Sequence, residues 1–377
     1  MSVFWNKRTV NLTPYVPGEQ PKDRKFIKLN TNENPYPPSP KVIEAIEQAL
    51  AITSQGKDSR AKGDKLRLYP DPLCTEFREV VAAAYGVKPS QVFPGNGSDE
   101  VLGFVFGAFF ETPEKESVTT HSILFPDITY SFYPVYADLW NIPYKTIPIG
   151  EDFSINLNDY SAGSGGVIIS NPNAPTGRDL PASDLLQLAR KLEQNNRVLV
   201  VDEAYAVFGA QSLVPHINDH PNLLTVHTLS KSASLAGLRV GFAIGSEELI
   251  AGLFRVRDSF NSYTMDALAL AGGSAAVLDK SYYETINQKV IATRETTVIG
   301  LKAMGFTVIP SKANFLFVTY PGISGQALFQ SLRDKGILVR HFNKPRIADY
   351  LRVSIGTGED MDTFLSACRE TIELPGN

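Results

Sequence analysis

The sequence predicts an α/β protein in which a large domain holds a mostly parallel sheet flanked by helices and a smaller α+β domain follows. Two short apolar runs near the middle of the chain have the length and composition of buried parallel strands, Val198 to Val201 and Leu223 to His227. The strand in GGVIIS, the helix from Ser183 to Gln194 and the strand from Val198 form a βαβ unit, which implies parallel pairing. With 377 residues, of which 43% are apolar, the chain exceeds what one core usually holds, so we expect two domains.

Composition and charge exclude several classes of partner. The net charge of −4 argues against a nucleic acid or a membrane surface, since both attract clustered lysines and arginines. No apolar run is long enough for a signal peptide or a membrane span, so we expect a cytoplasmic protein. Cys74 and Cys368 stand far apart without metal-ligand spacing, which predicts reduced, structural thiols and no metal site.

The N-terminal part, residues 1–38, is predicted to be an extended arm. Its segment NLTPYVPGEQP is proline-rich and too polar for a core, and LNTNENPYPPSP is a set of turn formers. Ser39 then caps a helix with Pro40 at its first position. The charged stretch from Ile52 to Lys65 is expected to be an exposed loop. It leads to LRLYPDP, in which the residue types alone predict for Tyr69 no more than a buried tyrosine with a local hydrogen bond.

The segment VFPGNGSDE predicts a strand, a turn and the start of a helix. Gly97, Ser98 and Asp99 would place free backbone amides at a helix N-terminus, which suits a phosphate group. The segment does not match the dinucleotide-binding fingerprint, because the sixth position counted from Gly95 is Glu100 instead of glycine. A Rossmann-type dehydrogenase is therefore disfavoured.

The remaining elements follow in alternation. Further strands are expected at Ile123 to Phe125, after an apparent insertion, and in VGFAIG, and a long helix begins at SEELIAG. A helix from Tyr282 to Ala303 then precedes strands in FTVIP, ANFLFVTY, ILVRHF and LRVSIG, and Thr357 with Asp360 predicts a capping pair for the last helix. The predicted domains are residues 39–258 for the large domain and 259–377 for the small one.

Polar side chains follow the two central strands where each strand ends. Asp202 and Tyr205 follow the first strand, Ser230 and Lys231 follow the second, and Arg239 stands eight positions after the lysine. In α/β sheets, ligands bind at these strand ends. Pyridoxal phosphate requires a lysine for its imine, an anion at its ring nitrogen and donors for its phosphate.

Each of these side chains has a role in such a site. Lys231 would form the imine, Asp202 would supply the anion, and Tyr205 would donate to the ring oxygen. Ser230 and Arg239 would hold the phosphate. A lone lysine is usually a solvated charge and a lone aspartate after a strand is usually a helix cap, so the prediction depends on all five standing in this order.

Two motifs carry a resemblance to a known family. DEAY and TLSKSASLAGLRVG are similar to the fold type I pyridoxal-phosphate-dependent aminotransferases, and the resemblance extends from LTPY to LRVSIGTGED. It implies a sheet of the seven-stranded type. One departure is Ala233, where the family usually has an aromatic residue.

The resemblance also implies roles for residues outside the central stretch. Tyr130, in ITYSFYPVYA, would stack on the cofactor ring, whereas Tyr133 and Tyr136 are expected in the core. Relatives usually have an asparagine at the position of Ala174 that bonds the ring oxygen. Asn173 is the expected substitute here, with Asn171 as the alternative.

A homodimer is implied by YPDP. In similar enzymes this tyrosine reaches the cofactor phosphate of the other subunit, so Tyr69 is expected to cross a dimer interface.

Substrate-binding residues are expected in the arm and in the small domain. Tyr15 resembles the arm tyrosine that reaches a substrate phosphate, and Asn32, with Glu33 and Asn34, would line the entrance. Arg340 and Arg352 lie in short apolar strands, where an unpaired guanidinium is costly, so each requires an anionic partner. The alternatives are a structural ion pair or a substrate anion. The resemblance favours Arg352 as the clamp for the carboxylate of glutamate and makes both arginines candidates for the phosphate of the other substrate.

Within the family, the chain resembles the enzymes of histidine biosynthesis that act on histidinol phosphate. The expected reaction moves an amino group from glutamate to imidazole-acetol phosphate. An aromatic amino-acid aminotransferase or a decarboxylase of a phosphorylated amino acid on the same fold remains an alternative. A regulator built on this fold is disfavoured because the segment before LNTNENP is too short for a DNA-binding module, and a catalytically inactive binding protein is disfavoured by Lys231.

Overall fold

The structure is a computed structural model that describes residues 3–21, 24–51, 63–112, 122–160 and 165–373. Most of the predicted loop from Ile52 to Lys65, and the apparent insertion before Ile123, lie outside these residues. The strands are β1 (Ile27–Lys28), β2 (Val92–Gly95), β3 (Ile123–Pro126), β4 (Tyr144–Ile147), β5 (Gly166–Ser170), β6 (Leu199–Asp202), β7 (Leu223–Thr228), β8 (Gly241–Gly245), β9 (Thr307–Ile309), β10 (Phe315–Thr319), β11 (Ile337–Leu338), β12 (Arg340–His341) and β13 (Leu351–Ser354).

The α-helices alternate with these strands along most of the chain. They are α1 (Lys7–Asn11), α2 (Pro40–Ala51), α3 (Thr75–Tyr85), α4 (Ser98–Phe109), α5 (Tyr133–Trp140), α6 (Ala182–Glu193), α7 (Leu229–Ser232), α8 (Glu247–Phe260), α9 (Ala267–Leu278), α10 (Lys280–Ala303), α11 (Gly325–Asp334) and α12 (Gly358–Ile372). None of the helices in the described residues is long and apolar enough to cross a membrane.

The large sheet is mostly parallel, as predicted. Within the described residues its seven strands have the order β2, β8, β7, β6, β5, β3, β4. Strands β7, β6, β5, β3 and β4 pair in parallel, whereas β8 pairs antiparallel with both β7 and β2. The parallel strands therefore end at one edge of the sheet, which is where the predicted site residues follow them.

The central strands are buried on both faces, which explains their uninterrupted apolar sequences. Leu199 and Val201 of β6 point into a core shared with α2, α3 and α6, whereas Val200 points into a core shared with α4, α5 and α8. Because successive side chains of a strand point to opposite faces, a four-residue strand contributes to both cores. Asp202 is the next residue of this alternation and ends the strand as a buried carboxyl group.

A second, antiparallel sheet forms the C-terminal part, with the strand order β12, β13, β10, β9. Its core includes Val290 of α10, Leu328 of α11 and Phe364 of α12. The predicted capping pair is confirmed, since Thr357 and Asp360 form a capping box at the start of α12. The boundary at residues 258 and 259 stays a prediction, and α9, which follows it, packs into the core of the large sheet.

A short connecting segment, residues 27–32, joins the two sheets. Strand β1 pairs in parallel with β11, and Leu29 continues this ladder by donating its N–H to the carbonyl oxygen of Leu338 at 2.7 Å. The carbonyl oxygen of Leu29 accepts from the N–H of Ser354 in β13 at 2.9 Å. Residues 30–32 are thereby held between the second sheet and the edge of the large sheet. The two cysteines are buried free thiols.

Candidate active site

A cavity of about 310 Å³ opens where the parallel strands of the large sheet end, facing the second sheet. It brings together most of the residues that the sequence predicts for the site: Tyr15, Asn32, Ser98, Asp99, Tyr130, Asp202, Tyr205, Ser230, Lys231, Arg239, Arg340 and Arg352. These residues are distant in the sequence, and the convergence of parallel strand ends with the second sheet places them in one space.

Lys231 enters the cavity from α7, directly after β7. The side chain of Thr228 starts this short helix by accepting from the N–H of Ser230 at 3.1 Å. The lysine Nζ donates to the carbonyl oxygen of Thr31 at 2.9 Å, and Asn34 fixes the lysine carbonyl with its amide at 3.0 Å. Burial, followed by the charge of Arg352, lowers the pKa of Lys231 to about 8. A minor fraction of this amine is therefore uncharged at neutral pH, and the fraction grows at mildly alkaline pH.

Asp202 supplies a buried carboxylate to the cavity. One of its oxygens accepts from the N–H of Ala204 at 3.1 Å and the other accepts from the hydroxyl of Tyr133 at 3.1 Å. Burial raises the pKa of Asp202 to about 6, so the group is largely ionised at neutral pH. The contact with Tyr133 is missing from the sequence prediction, which places this tyrosine in the core. It is fully buried, as predicted, but its hydroxyl still requires a partner.

Tyr205 follows Asp202 on the same turn, with its ring edge-on to Phe315 at 5.0 Å between centroids. Its hydroxyl oxygen accepts from the side-chain amide of Asn32 at 3.0 Å. Asn32 lines the cavity as predicted but is only 1% exposed, because it lies between Tyr205 and Ser354. Its contacts are therefore with Tyr205 rather than with the entrance.

The predicted phosphate end is built from the start of α4 and the residues around Arg239. Gly97 precedes the helix with φ of +84°, and the side chain of Arg239 lies close above it. The guanidinium of Arg239 donates to Asp99 at 3.0 Å and lies 3.4 Å from the hydroxyl of Ser230. Tyr130 donates to the other oxygen of Asp99 at 2.8 Å. Amides, hydroxyls and a guanidinium thus converge at one end of the cavity.

Two arginines of the second sheet line the opposite side. Arg352 donates to the carbonyl oxygen of Asn30 at 2.9 Å, and its Nε has no hydrogen-bond partner. Arg340 lies 3.3 Å from the carbonyl oxygen of Val16 in the arm. Within the described residues neither guanidinium forms an ion pair, so the structural ion pair considered for them is not found.

Tyr15 of the arm covers the cavity by stacking on Phe132, with 4.5 Å between the ring centroids. Phe132 lines the cavity and stacks in turn on Tyr136 at 4.8 Å. Phe132 is absent from the sequence prediction, in which only its neighbour Tyr130 has a role.

Three predicted site residues, Asn173, Tyr69 and Gly97, do not place a side chain in the cavity. The side chain of Asn173 is turned away, since it donates to the carbonyl oxygen of Ile128 at 2.9 Å and accepts from the hydroxyl of Thr129 at 2.9 Å. Ala174 lines the cavity in its place. Tyr69 is 80% exposed and stacks on Tyr263 at 4.5 Å, outside the cavity. Gly97 contributes backbone only. The alternative residue Asn171 bonds the backbone of Leu180.

The donor set of the cavity fits pyridoxal phosphate. An amine of lowered pKa and a buried carboxylate are both present, and the start of α4 offers amides to an anion. Gly241 makes room for that helix start, because a Cβ atom there would lie 2.4 Å from the backbone nitrogen of Ser98. The Nε of Arg352 is buried without a hydrogen-bond partner among the described residues, so an anionic ligand could satisfy it.

Comparison with known proteins decides the family. The family model of aminotransferase class I and II matches residues 24–367. The chain belongs to this family. The aminotransferase is 52% identical to the histidinol-phosphate aminotransferase of Clostridium acetobutylicum, with 99% of this chain and 100% of the relative covered. It is 50% identical to that of Clostridium botulinum strain 657, with 99% of each chain covered.

Solved structures share the fold of this aminotransferase. The histidinol-phosphate aminotransferase of Sinorhizobium meliloti in complex with pyridoxal-5'-phosphate superposes with a TM-score of 0.83 at 23% identity, covering 99% of this chain and 98% of that one. A variant of Thermus thermophilus aspartate aminotransferase gives a TM-score of 0.79 at 19% identity, covering 98% and 100%. The expected fold type is therefore confirmed.

Proposed function

We propose that this aminotransferase uses pyridoxal phosphate to transfer an amino group between glutamate and imidazole-acetol phosphate, giving histidinol phosphate and 2-oxoglutarate in histidine biosynthesis. Relatives that are about half identical over the full chain carry the name of this activity. The observation in the structure that carries the proposal is the pair Arg340 and Arg352, which line the cavity with Lys231 and are not neutralised by a carboxylate in the described residues.

The residues of the cavity would have three roles towards the cofactor: they would bind its phosphate, face its ring nitrogen and pack against its ring. The amides at the start of α4, with Ser230 and Arg239, would hold the cofactor phosphate. Asp202 would supply a negative charge for the ring nitrogen, and Tyr130 would offer a flat ring to the cofactor. Bound pyridoxal phosphate supplies an aldehyde that takes up the amino group and a ring that accepts the electrons released at the substrate's α-carbon.

Lys231 is the group that moves the proton. Burial beside Arg352 keeps a fraction of its amine uncharged near neutral pH, as a general base requires. In the structure this amine donates to the carbonyl oxygen of Thr31, so it has a defined polar partner within the cavity when it is not joined to the cofactor. Asp202, with a pKa of about 6, is mostly ionised at neutral pH.

Both substrates are anionic, and both would use the arginine side of the cavity. The planar guanidinium of Arg352 suits the carboxylate of glutamate, and with Arg340 it can also meet a phosphate. Tyr15 of the arm lines the same cavity and stacks on Phe132. One anion site for both substrates is consistent with their alternation during the two halves of the reaction.

Two measurements test this proposal. Purified protein should absorb in the near-visible range, and treatment with borohydride should fix the cofactor on wild-type protein but not on Lys231→Ala. Turnover of histidinol phosphate with 2-oxoglutarate should exceed that of phenylalanine by at least about tenfold, and Arg340→Gln should reduce the first more than the second. Equal rates for the two donors would favour the aromatic aminotransferase, and colourless protein would refute the proposal.

We further propose that the enzyme is a homodimer in the cytoplasm. A second cavity, of about 560 Å³, lies beside Tyr69 and is bordered by both apolar and polar side chains. Leu68 and Leu278 line this cavity, and Leu66 and Leu73 stand close to Leu68 in the sequence; each of the four is about half or more exposed. A second copy of the chain would cover these residues and would bring Tyr69 towards the other subunit's phosphate end.

A further inference from the structure

The donor and acceptor roles in the hydrogen-bond chain behind Tyr205 can be assigned from chemistry alone. The backbone N–H of Asn32 donates to the hydroxyl oxygen of Ser354 at 2.8 Å, and a backbone N–H can only donate. The hydroxyl of Ser354 lies 3.0 Å from Asn32 Oδ1 and donates to it. Asn32 Nδ2 then donates to the hydroxyl oxygen of Tyr205 at 3.0 Å.

The reversed orientation of the Asn32 amide is disfavoured. It would point an amide group at the Ser354 oxygen, which already accepts from the backbone, and the serine hydrogen would have no acceptor among the described residues. Ser354 is 2% exposed and Asn32 is 1% exposed, so water does not readily replace a missing partner. A buried hydrogen without an acceptor costs about 1 to 3 kcal/mol, which is enough to select one orientation.

These assignments determine whether the hydroxyl of Tyr205 can donate a hydrogen bond into the cavity. Tyr205 accepts from Asn32, and within the described residues its hydroxyl makes no other hydrogen bond. Its hydrogen is therefore available to the cavity that Tyr205 lines. Ala174 lines the same cavity and has no polar side-chain atom with which to donate.

We propose that Ser354 and Asn32 form a one-way hydrogen-bond relay that fixes Tyr205 as a donor to the cofactor's ring oxygen, in compensation for the donor that Ala174 lacks. Ser354 and Asn32 are positioning residues, because they act through Tyr205. The relay begins on β13 of the second sheet and ends after β6 of the large sheet, so the donor is set only when the two sheets are in their observed arrangement. The inference rests on the proposed cofactor.

The relay predicts the direction in which the pH midpoint of the cofactor's absorbance change should move when the relay is broken. A donor to the ring oxygen stabilises the negative charge that this oxygen carries once the neighbouring nitrogen has lost its proton. Removing the donor should move the pH midpoint of the cofactor's absorbance change upwards. We expect a shift of about 1 pH unit for Tyr205→Phe and about half of that for Ser354→Ala, because the freed amide of Asn32 can then turn and accept from Tyr205.

The test is a double-mutant cycle on the holoenzyme, with absorbance against pH as the readout and the cofactor dissociation constant as the second measurement. Ser354→Ala should shift the midpoint in the wild-type background and should have no further effect in Tyr205→Phe. Ser331→Ala is the matched control, since it removes a hydroxyl that bonds Thr371 in the same part of the chain and does not line the cavity. It should leave the midpoint unchanged.

A second variant covers the case in which Ser354→Ala does not fold. Asn32→Asp keeps the shape of the side chain but carries only acceptors, so Tyr205 must donate away from the cavity, and the midpoint should rise as in Tyr205→Phe. An unchanged midpoint in Asn32→Asp or Ser354→Ala, or an equal shift for Ser354→Ala in both backgrounds, would refute the relay. Wild-type protein without a cofactor absorbance band would refute the proposed function instead.

Discussion

Lys231 and Arg352 share one cavity, and this proximity determines how the lysine reacts with an aldehyde. Loss of hydration and the nearby guanidinium lower the lysine pKa to about 8. Since only the uncharged amine attacks an aldehyde, the rate at which cofactor-free protein binds pyridoxal should rise with pH to a midpoint near 8. Arg352→Gln removes the charge that lowers this pKa most after burial, so its midpoint should be higher. Stopped-flow absorbance over pH 6 to 11 measures both values, and a wild-type midpoint near that of free lysine would contradict the assigned environment.

The same burial lowers the stability of the cofactor-free protein. Lys231 has a pKa of about 8 in the folded chain against 10.5 in the unfolded chain, so the unfolded chain binds more protons between these values. The free energy of unfolding should therefore rise with pH in this window, and the penalty is fully present below pH 8. Lys231→Met should stabilise cofactor-free protein by about 2 kcal/mol at pH 7, and the gain should decrease towards pH 10.5. Urea denaturation at pH 7 and 10 measures it.

Lys302→Met is the control for this stability effect, because Lys302 is exposed in the last turn of α10. It should leave stability unchanged at both pH values. If Lys231→Met proved less stable than the wild type at pH 7, the lysine would be contributing packing that outweighs its desolvation.

The sequence predicts the side chains proposed for the chemistry better than it predicts the residues that support them. Lys231, Asp202 and Arg239 follow apolar strands in a recognisable order, and the structure brings all three to the cavity. The bond from Tyr133 to Asp202 joins residues 69 positions apart, and no local pattern distinguishes that tyrosine from a core residue. The acceptor for Lys231 is the backbone carbonyl oxygen of Thr31, which is independent of side-chain type and so leaves no signal in the sequence.

At the scale of elements, the contact between β8 and the start of α4 positions the proposed phosphate site. A Cβ atom at Gly241 would lie 2.4 Å from the nitrogen of Ser98 and 2.5 Å from the carbonyl carbon of Gly97, and backbone cannot move aside as a flexible side chain can. Gly241→Ala should therefore displace the helix start, lower stability by about 1 to 3 kcal/mol and weaken cofactor binding. Denaturation and cofactor titration measure the two effects.

Gly237→Ala provides the comparison for Gly241→Ala. A Cβ atom at Gly237 meets nothing within 4 Å, so this variant should match the wild type in both measurements. Normal cofactor binding by Gly241→Ala would show that the start of α4 is not part of the phosphate site.

The sequence predicts the strands best where every residue of a strand is buried. Every residue of β5, β6 and β7 is buried, so their apolar runs mark the strands to within a residue or two. The sequence ILVRHF predicts one strand, but Ile337 and Leu338 pair with β1 whereas Arg340 and His341 pair with β13. This change of partner depends on the connecting segment, whose pairing is set by contacts hundreds of residues apart.

At the scale of the whole molecule, the connecting segment links the sheets through consecutive carbonyl groups. The oxygens of residues 29 to 32 accept in turn from the backbone of Ser354 and from the side chains of Arg352, Lys231 and Asn314. A lysine of the large sheet and an arginine of the second sheet are thus held by adjacent peptide units. The proposed catalytic amine and the proposed anion clamp are positioned relative to each other by backbone, which side-chain substitution alters little.

The proposed dimer can be tested by complementation between two defective chains. If Tyr69 serves the other subunit, Tyr69→Phe should weaken cofactor binding about tenfold by loss of one hydrogen bond to the phosphate. Lys231→Ala should abolish activity. In a mixed dimer of these two chains, one site would receive an intact lysine from one subunit and an intact tyrosine from the other, so half of the sites should bind the cofactor with wild-type affinity and turn over.

The reciprocal mixture distinguishes this arrangement from a tyrosine that acts within its own chain. When wild-type protein is mixed with the double variant Lys231→Ala, Tyr69→Phe, a tyrosine acting across the interface leaves no complete site in the mixed dimer, whereas one acting within its chain leaves one. Activity is measured at limiting cofactor concentration on mixed dimers purified with two affinity tags. If the tyrosine acts across the interface, the mixture of the two single variants should be the more active one. If it acts within its own chain, the wild-type mixture should be the more active one. A higher activity in the wild-type mixture, or a monomer in sedimentation, would contradict the shared site. In either case Tyr69 would have to act within its own chain, although it is exposed and does not line that chain's cavity in the structure.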